Sequence, residues 1–218
     1  MNVYRFGDDD DWRYSMLPLT VSEEKPCYAF IFVGFSHGLT VELQIKRSLL
    51  LDCPMIGVDP TNSDTAHEFS LNIGEVEQEN LNSWNGMNER SLASLVAFSL
   101  ELRQSHAAII AEHVFVTDLD DVYSFLPYML DDIGLAKYIV PCQLTVDLPF
   151  PHPRQLQIFV NFIRRVIDDE LYTILSVLRV DDKTRIYLFN HSHKKCNTRY
   201  GVDTISETNR FGLDYEIL

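Results

Sequence analysis

The chain lacks a long hydrophobic run. No uninterrupted apolar stretch in its 218 residues approaches the roughly 18 that a membrane-crossing helix needs. It also lacks basic charge: 18 Lys and Arg stand against 32 Asp and Glu, a net charge of −14. Phosphate backbones and anionic membrane surfaces both select basic surface, so neither nucleic acid nor a polybasic membrane contact is expected. Arg164-Arg165 and Lys194-Lys195 are short basic pairs only. Cysteine is sparse: Cys27, Cys53, Cys142 and Cys196 are widely spaced and form no C-x-x-C pair. The first three flank or lie within apolar segments, which predicts buried free thiols. A reducing, cytoplasmic location follows as the default expectation. The opening residues MNVYRFGDDDDWRYSML show no apolar core of the signal-peptide kind. Internal repeats, low-complexity tracts, a P-loop and a Ser-His-Asp arrangement are likewise not seen.

What is present is an ordinary globular composition, 46% hydrophobic and 23% charged, long enough for one domain with a substantial core. Residues 1–26 read as an irregular acidic segment, with Asp8 to Asp11 a solvated loop. Residues 28–60 are the most informative stretch. Tyr28 to Val33 is a short apolar strand, and Gly34, Ser36 and Gly38 break it. Leu39 to Leu50 then carries a mostly helical apolar pattern, and Met55 to Val58 is a second strand ending at Asp59. Strand, glycine turn, helix, strand and acid is the order of the nucleotide-binding half of a Rossmann-like domain. Glycines let the backbone turn tightly, a helix N-terminus offers free N–H groups, and an acid after the second strand can accept hydrogen bonds from a ribose.

Further on, residues 61–73 suggest a short helix, 75–90 are polar, and Ser91 to Arg103 reads as a helix. His113 to Thr117 is a strand ending at Asp118, and Val122 to Leu130 a helix irregular at Pro127. Tyr138 to Leu148 is a strand. Pro153 opens a helix with the apolar stripe Leu156, Phe159, Val160, Ile163 and Ile167. Tyr172 to Val180 and Arg185 to Asn190 form a hairpin around Asp181-Asp182-Lys183-Thr184. Alternating strands and helices predict an α/β fold: a mostly parallel sheet, helices on both faces, and a C-terminal antiparallel hairpin. Residues 202–218 form a tail. Two metal patterns deserve weighing. Asp118-Leu119-Asp120 after an apolar strand is how glycosyltransferases hold a divalent ion on a nucleotide-sugar diphosphate. His191, His193 and Cys196 could supply zinc ligands, but no fourth ligand is near, which favours surface and turn positions and no metal site.

Three stretches carry a family resemblance: FVGFSHGLTVE with MIGVDP; HVFVTDLDDVYSFLPYML; and IVPCQLTVDL through FVNFIRRVIDDELYTIL to RIYLFNHSHKKCNTRY. Together they resemble the FkbM-type branch, in its nematode form, of the class I S-adenosylmethionine-dependent methyltransferases. The likeness spans roughly residues 27–201, and includes the pairs Cys142-Gln143 and Cys196-x-x-x-Tyr200. It implies a Rossmann-like methyltransferase fold with S-adenosylmethionine as cofactor and methyl transfer to oxygen of a small-molecule or glycan acceptor. Gly34, Phe35, Ser36 and Gly38 would pass close to its methionine part and Asp59 would bind its ribose. Asp118 would face the crevice, and Asp120 would act as a base or supporting acid. The chain departs from the family pattern at Ser36, where glycine is usual, and at Asp120-Asp121-Val122-Tyr123, which replace the segment Glu-Gly-Ala-Glu. These departures raise a second expectation, a binding domain that keeps the fold without the chemistry, its crevice filled by Phe35 and His37.

Overall fold

The computed structural model describes residues 3–9, 12–19, 27–33, 40–48, 53, 55–58, 110–117, 122–130 and 139–202. In chain order these form β1 (Val3–Gly7), β2 (Trp12–Met16), β3 (Ala29–Val33), α1 (Thr40–Ser48), β4 (Met55–Val58) and β5 (Ile110–Val116). Then follow α2 (Val122–Leu130), β6 (Val140–Pro149), α3 (Pro153–Asp168), β7 (Tyr172–Val180), β8 (Lys183–Asn190) and α4 (Lys194–Tyr200). The predicted helices over 61–73 and 91–103 lie outside the described residues.

The architecture is α/β. A six-stranded mixed sheet runs β4-β3-β5-β6-β8-β7. Strands β4, β3, β5 and β6 run parallel to one another, while β8 is antiparallel to both β6 and β7. The closing hairpin was expected as an edge. Its second arm is in fact the inner one, seated against β6, and its first arm β7 is outermost. The turn between them is only Asp181-Asp182, with Asp181 at φ 52°. That left-handed conformation is one that Asp tolerates better than most residues.

Both faces of the sheet are covered, as the nearly unbroken burial of β3 and β5 requires. On one face Ile31, Val33, Val114, Val116, Leu144 and Val146 pack with Val122, Leu126 and Met129 of α2 and Phe162 and Val166 of α3. On the other, Phe30, Phe32 and Phe115 pack with Val41 and Ile45 of α1 and Phe6 of β1. Pro153 opens α3 as predicted, with the His152 N–H donating to Gln155 Oε1 at 2.9 Å. Gly201 ends α4 in the left-handed region at φ 68°, and a Cβ there would lie 2.8 Å from Leu19 Cδ1. Glycine is therefore favoured by the conformation, while the exposed end of Leu19 could turn aside.

Two sequence expectations are overturned. Residues 1–26 are not uniformly irregular: β1 and β2 pair antiparallel from Val3–Met16 to Gly7–Trp12. Asp8 and Asp9 beyond β1 are exposed, as expected of a solvated loop. Nor are the cysteines free thiols. Cys27 is bonded to Cys53, and Cys142 to Cys196. The ground for a reducing location goes with them, since disulfides persist in oxidising compartments. Spacing alone could not reveal the pairing, because the partners are 26 and 54 residues apart and meet only once the sheet and α4 have formed.

Candidate functional site

The carboxyl ends of three neighbouring strands finish level. Val33 pairs with Val58 on one side and Val116 on the other, and Val116 pairs in turn with Val146. The Thr117 N–H donates to the Val33 carbonyl at 2.8 Å and carries the ladder one residue further. In the chain Gly34 follows Val33, Asp59 follows Val58, and Asp118 follows Thr117. The residues proposed from sequence therefore leave the sheet from one edge and from adjacent strands. Gly34, Phe35, Ser36, His37, Gly38, Asp59, Asp118 and Asp120 themselves lie outside the described residues.

Around that edge the described side chains are firmly held. Tyr123, which stands at the second acid of the family segment, is a core residue of α2 and donates its hydroxyl hydrogen bond to the Pro149 carbonyl at the end of β6. Burial raises its pKa. Asp147, one residue beyond Val146, is buried and takes a bidentate ion pair from Arg185, both contacts at 2.6 Å. Arg185 also donates to the Trp12 carbonyl and lies 5.3 Å from the Trp12 ring. Arg5 lies 4.9 Å from the same ring. Asp147 and Arg185 thus fasten the turn end of the β1–β2 hairpin beside the carboxyl edge.

Beneath the hairpin runs a polar seam. The His113 ring is fully buried, with Nδ1 2.9 Å from Ser15 Oγ and Nε2 2.8 Å from Thr145 Oγ1. It stacks on Phe115 and Tyr187. Burial first, and the nearby Arg13 charge second, hold its pKa well below the ordinary histidine value. A Ser–His contact of this length is nucleophile–base geometry. Here the third partner is a hydroxyl, not a carboxylate, and the serine is fully enclosed. The trio is a packed neutral network joining the hairpin to the sheet.

The seam continues to the amino edge. Gln143 Oε1 accepts from the Met16 N–H at 2.7 Å, and its Nε2 donates to the Met16 carbonyl at 3.0 Å. A side-chain amide here pairs with β2 much as a neighbouring strand would. Gln143 Nε2 also lies 2.7 Å from the Tyr200 hydroxyl, which donates to Glu112 Oε2 at 2.7 Å. Glu112 Oε1 accepts from the Tyr28 N–H at 3.0 Å and from Arg199, whose Nη2 is 2.6 Å away. Burial, and then the Glu112 charge, push the Tyr200 pKa well up. The two pairs picked out in the sequence, Cys142-Gln143 and Cys196-x-x-x-Tyr200, are therefore joined twice, by the disulfide and by the amide–phenol hydrogen bond.

The H-x-H-x-x-C pattern does not offer a thiolate, because the Cys196 sulfur is in the disulfide. His191 Nδ1 lies 2.9 Å from Thr173 Oγ1, and His193 is the N-cap residue of α4. Sequence reading missed His113, Gln143, Thr145 and Asp147 as an interacting set. The signal was the alternation Cys-Gln-Leu-Thr-Val-Asp-Leu in β6, which reads as a strand with one wet face. The hairpin covers that face, and all seven residues are buried.

No protein-family model and no curated protein matches this chain.

Proposed function

We propose that the chain is a Rossmann-like domain of the class I methyltransferase type that binds S-adenosylmethionine at the carboxyl ends of β3, β4 and β5. The observation that carries this reading is the level ending of those strands, followed in the chain by a glycine turn, an acid and a second acid. Ligands of open α/β sheets bind outside carboxyl strand ends. The four parallel strands and the antiparallel hairpin closing the sheet support the same reading.

In this reading the glycine turn from Gly34 to Gly38 lets the backbone approach the methionine part of the ligand, and Asp59 accepts hydrogen bonds from the ribose. The bound sulfonium supplies an activated methyl carbon. That carbon would be the group passed to an acceptor oxygen, the sulfur keeping the electron pair of the broken bond. Asp118 would face the crevice beside the acceptor, and Asp120 would take the acceptor's proton or support the group that does.

A second reading, ligand binding without catalysis, is favoured by one observation. The position of the second acid is Tyr123, a core side chain bonded to the Pro149 carbonyl and so not a free base. A metal-dependent glycosyltransferase built on Asp118-x-Asp120 is the further alternative.

Isothermal titration with S-adenosylhomocysteine separates these readings. Saturable binding that Asp59→Ala weakens supports the cofactor site. Absence of heat at millimolar ligand removes it. Methyl transfer in the bound state distinguishes catalyst from binding domain, and binding of a nucleotide sugar only with manganese supports the glycosyltransferase.

The two disulfides support, as part of this proposal, an oxidising compartment for the protein. Acceptors would then be lumenal or extracellular molecules. Alkylation of the protein from its native source, without reductant, should find no free thiol. Four alkylated cysteines would reverse the assignment. None of the described helices is long and apolar enough to cross a membrane.

A further inference from the structure

Four of the nine large apolar side chains exposed among the described residues lie on the outer flank of α3 and on the edge strand β7. Leu156 is 49% exposed, Val160 38%, Ile167 61% and Val177 on β7 55%. The opposite flank of α3 faces α2, where Arg165 Nη2 donates to the Leu130 carbonyl at 3.2 Å. Among the described strands, β7 has a single neighbour, β8, so its other side presents unpaired main-chain groups.

We propose that this face is a two-fold interface with a second copy of the chain, α3 packing antiparallel against α3 and β7 antiparallel against β7. Three observations select a second copy as the occupant.

The first is that the stripe is self-complementary. In an antiparallel pair of α3 helices, Leu156 meets Ile167 of the partner subunit, and Val160 meets the half-buried Ile163 of the partner subunit. One charge at each end of β7 is complementary as well. Exposed Glu170 precedes the strand and exposed Arg179, whose Nε donates to the Asp181 carbonyl, lies near its end. An antiparallel register centred between Ile174 and Leu175, at the β7 bulge, sets Glu170 beside Arg179 of the partner subunit, twice. The turn acids Asp181 and Asp182 lie beyond the paired segment.

The second is that both centres lie at similar heights above the turn that joins α3 to β7, as a single two-fold axis requires. The midpoint of the α3 stripe is about 10 Å above the end of the helix at 1.5 Å per residue. The midpoint of β7 is about 8 Å above its start at ~3.3 Å per residue. One two-fold axis can therefore serve both contacts.

The third is size. A strand about 30 Å long under a helix about 24 Å long makes a face two layers deep, on the order of 500 Å² per copy. That reaches the roughly 1,000 Å² total that a specific interface needs.

Sedimentation equilibrium of the full chain tests the proposal up to ~100 μM, a range that reveals micromolar dissociation constants. The expected result is a monomer–dimer equilibrium. Val160→Glu should weaken it at least about tenfold by placing two carboxylates across the stripe. Glu170→Lys alone should weaken it, and Glu170→Lys with Arg179→Glu should restore it. Circular dichroism of each variant confirms that the fold is kept, since all three sites are exposed. A wild-type chain that stays monomeric throughout overturns the proposal. So does a dimer that neither Val160→Glu nor Glu170→Lys weakens, or a charge swap that fails to restore it.

Discussion

The two edges of the sheet are built for different tasks. At the amino edge, Cys27–Cys53 joins the segments that lead into β3 and β4, Cys142–Cys196 joins β6 to α4, and Glu112 ties β3, β5 and α4 through Tyr28, Arg199 and Tyr200. At the carboxyl edge the same strands end level and the chain continues into glycines and acids. Both disulfides thus lie where no ligand chemistry is proposed, while each edge has a buried ion pair, Glu112–Arg199 at the amino edge and Asp147–Arg185 at the carboxyl edge. The residues proposed for function follow from strand ends whose alignment those bonds maintain. Stability and ligand binding should therefore be separable by mutation, edge by edge.

The largest effect tests the amino edge. In the loop-entropy account, a disulfide closing 26 residues contributes about 3.5 kcal/mol and one closing 54 about 4 kcal/mol. Together these rival the whole net stability of an ordinary domain. Reduction should therefore lower the urea midpoint steeply or unfold the chain. A protein whose unfolding curve is unchanged by reductant would show that the sheet holds its own edge.

Glu112→Ala should come next, at roughly 3–5 kcal/mol, because it leaves the buried Arg199 charge and the Tyr200 hydroxyl without their partner. Urea denaturation of the oxidised protein measures it. A loss below about 1 kcal/mol would show that solvent reaches Arg199 and that the edge is less closed than its burial indicates.

Much of this division was legible in the sequence on one side only. The order strand, helix, strand from β3 to β4, helix α2, the Pro153 start of α3 and the β7–β8 hairpin were read from apolar periodicity and turn residues, and they stand. Periodicity worked there because their buried positions are apolar. It failed at β2, where Arg13 and Ser15 are fully enclosed together with Met16 while Trp12 and Tyr14 are only partly covered. Polar residues inside and aromatic residues outside invert the pattern that marks a strand. The same inversion hid the seam through His113, Gln143, Thr145 and Asp147. Helix α4, Lys-Lys-Cys-Asn-Thr-Arg-Tyr, has no apolar period and is fixed by its disulfide and by Arg199 and Tyr200. Legibility therefore ran with apolar burial and stopped where covalent and polar bonds carry the structure. Of the candidate site, the sequence supplied residue types and the structure supplied the alignment of the strands that precede them.

The seam between the two edges predicts a smaller, pH-dependent effect. His113 has a folded pKa well below its ordinary value, so below about pH 6.5 the unfolded chain binds a proton that the folded chain does not. Stability should be constant with respect to this group above that pH. It should then fall as the solution is acidified, by up to about 1.4 kcal/mol per pH unit, until the folded pKa is reached. Chemical denaturation at pH 7.5, 6 and 5 measures the slope (buffer conditions for the assay), and His113→Gln should flatten it. An unchanged slope in that variant would assign acid sensitivity to the carboxylates.

The smallest effect on stability should come from Asp59→Ala, and it should fall on binding instead. In the chain the residue follows Val58, the last paired residue of β4 at the carboxyl edge. Folding stability should change within about 0.5 kcal/mol. Loss of charge-assisted hydrogen bonds to a ribose, at about 1.5–3 kcal/mol, should weaken S-adenosylhomocysteine by roughly 10- to 150-fold. If Asp59→Ala instead unfolds the protein, Asp59 belongs to the structural half of the molecule and the division between edges fails. If it changes neither stability nor affinity, the ligand is held elsewhere and the strand ends lose their assignment.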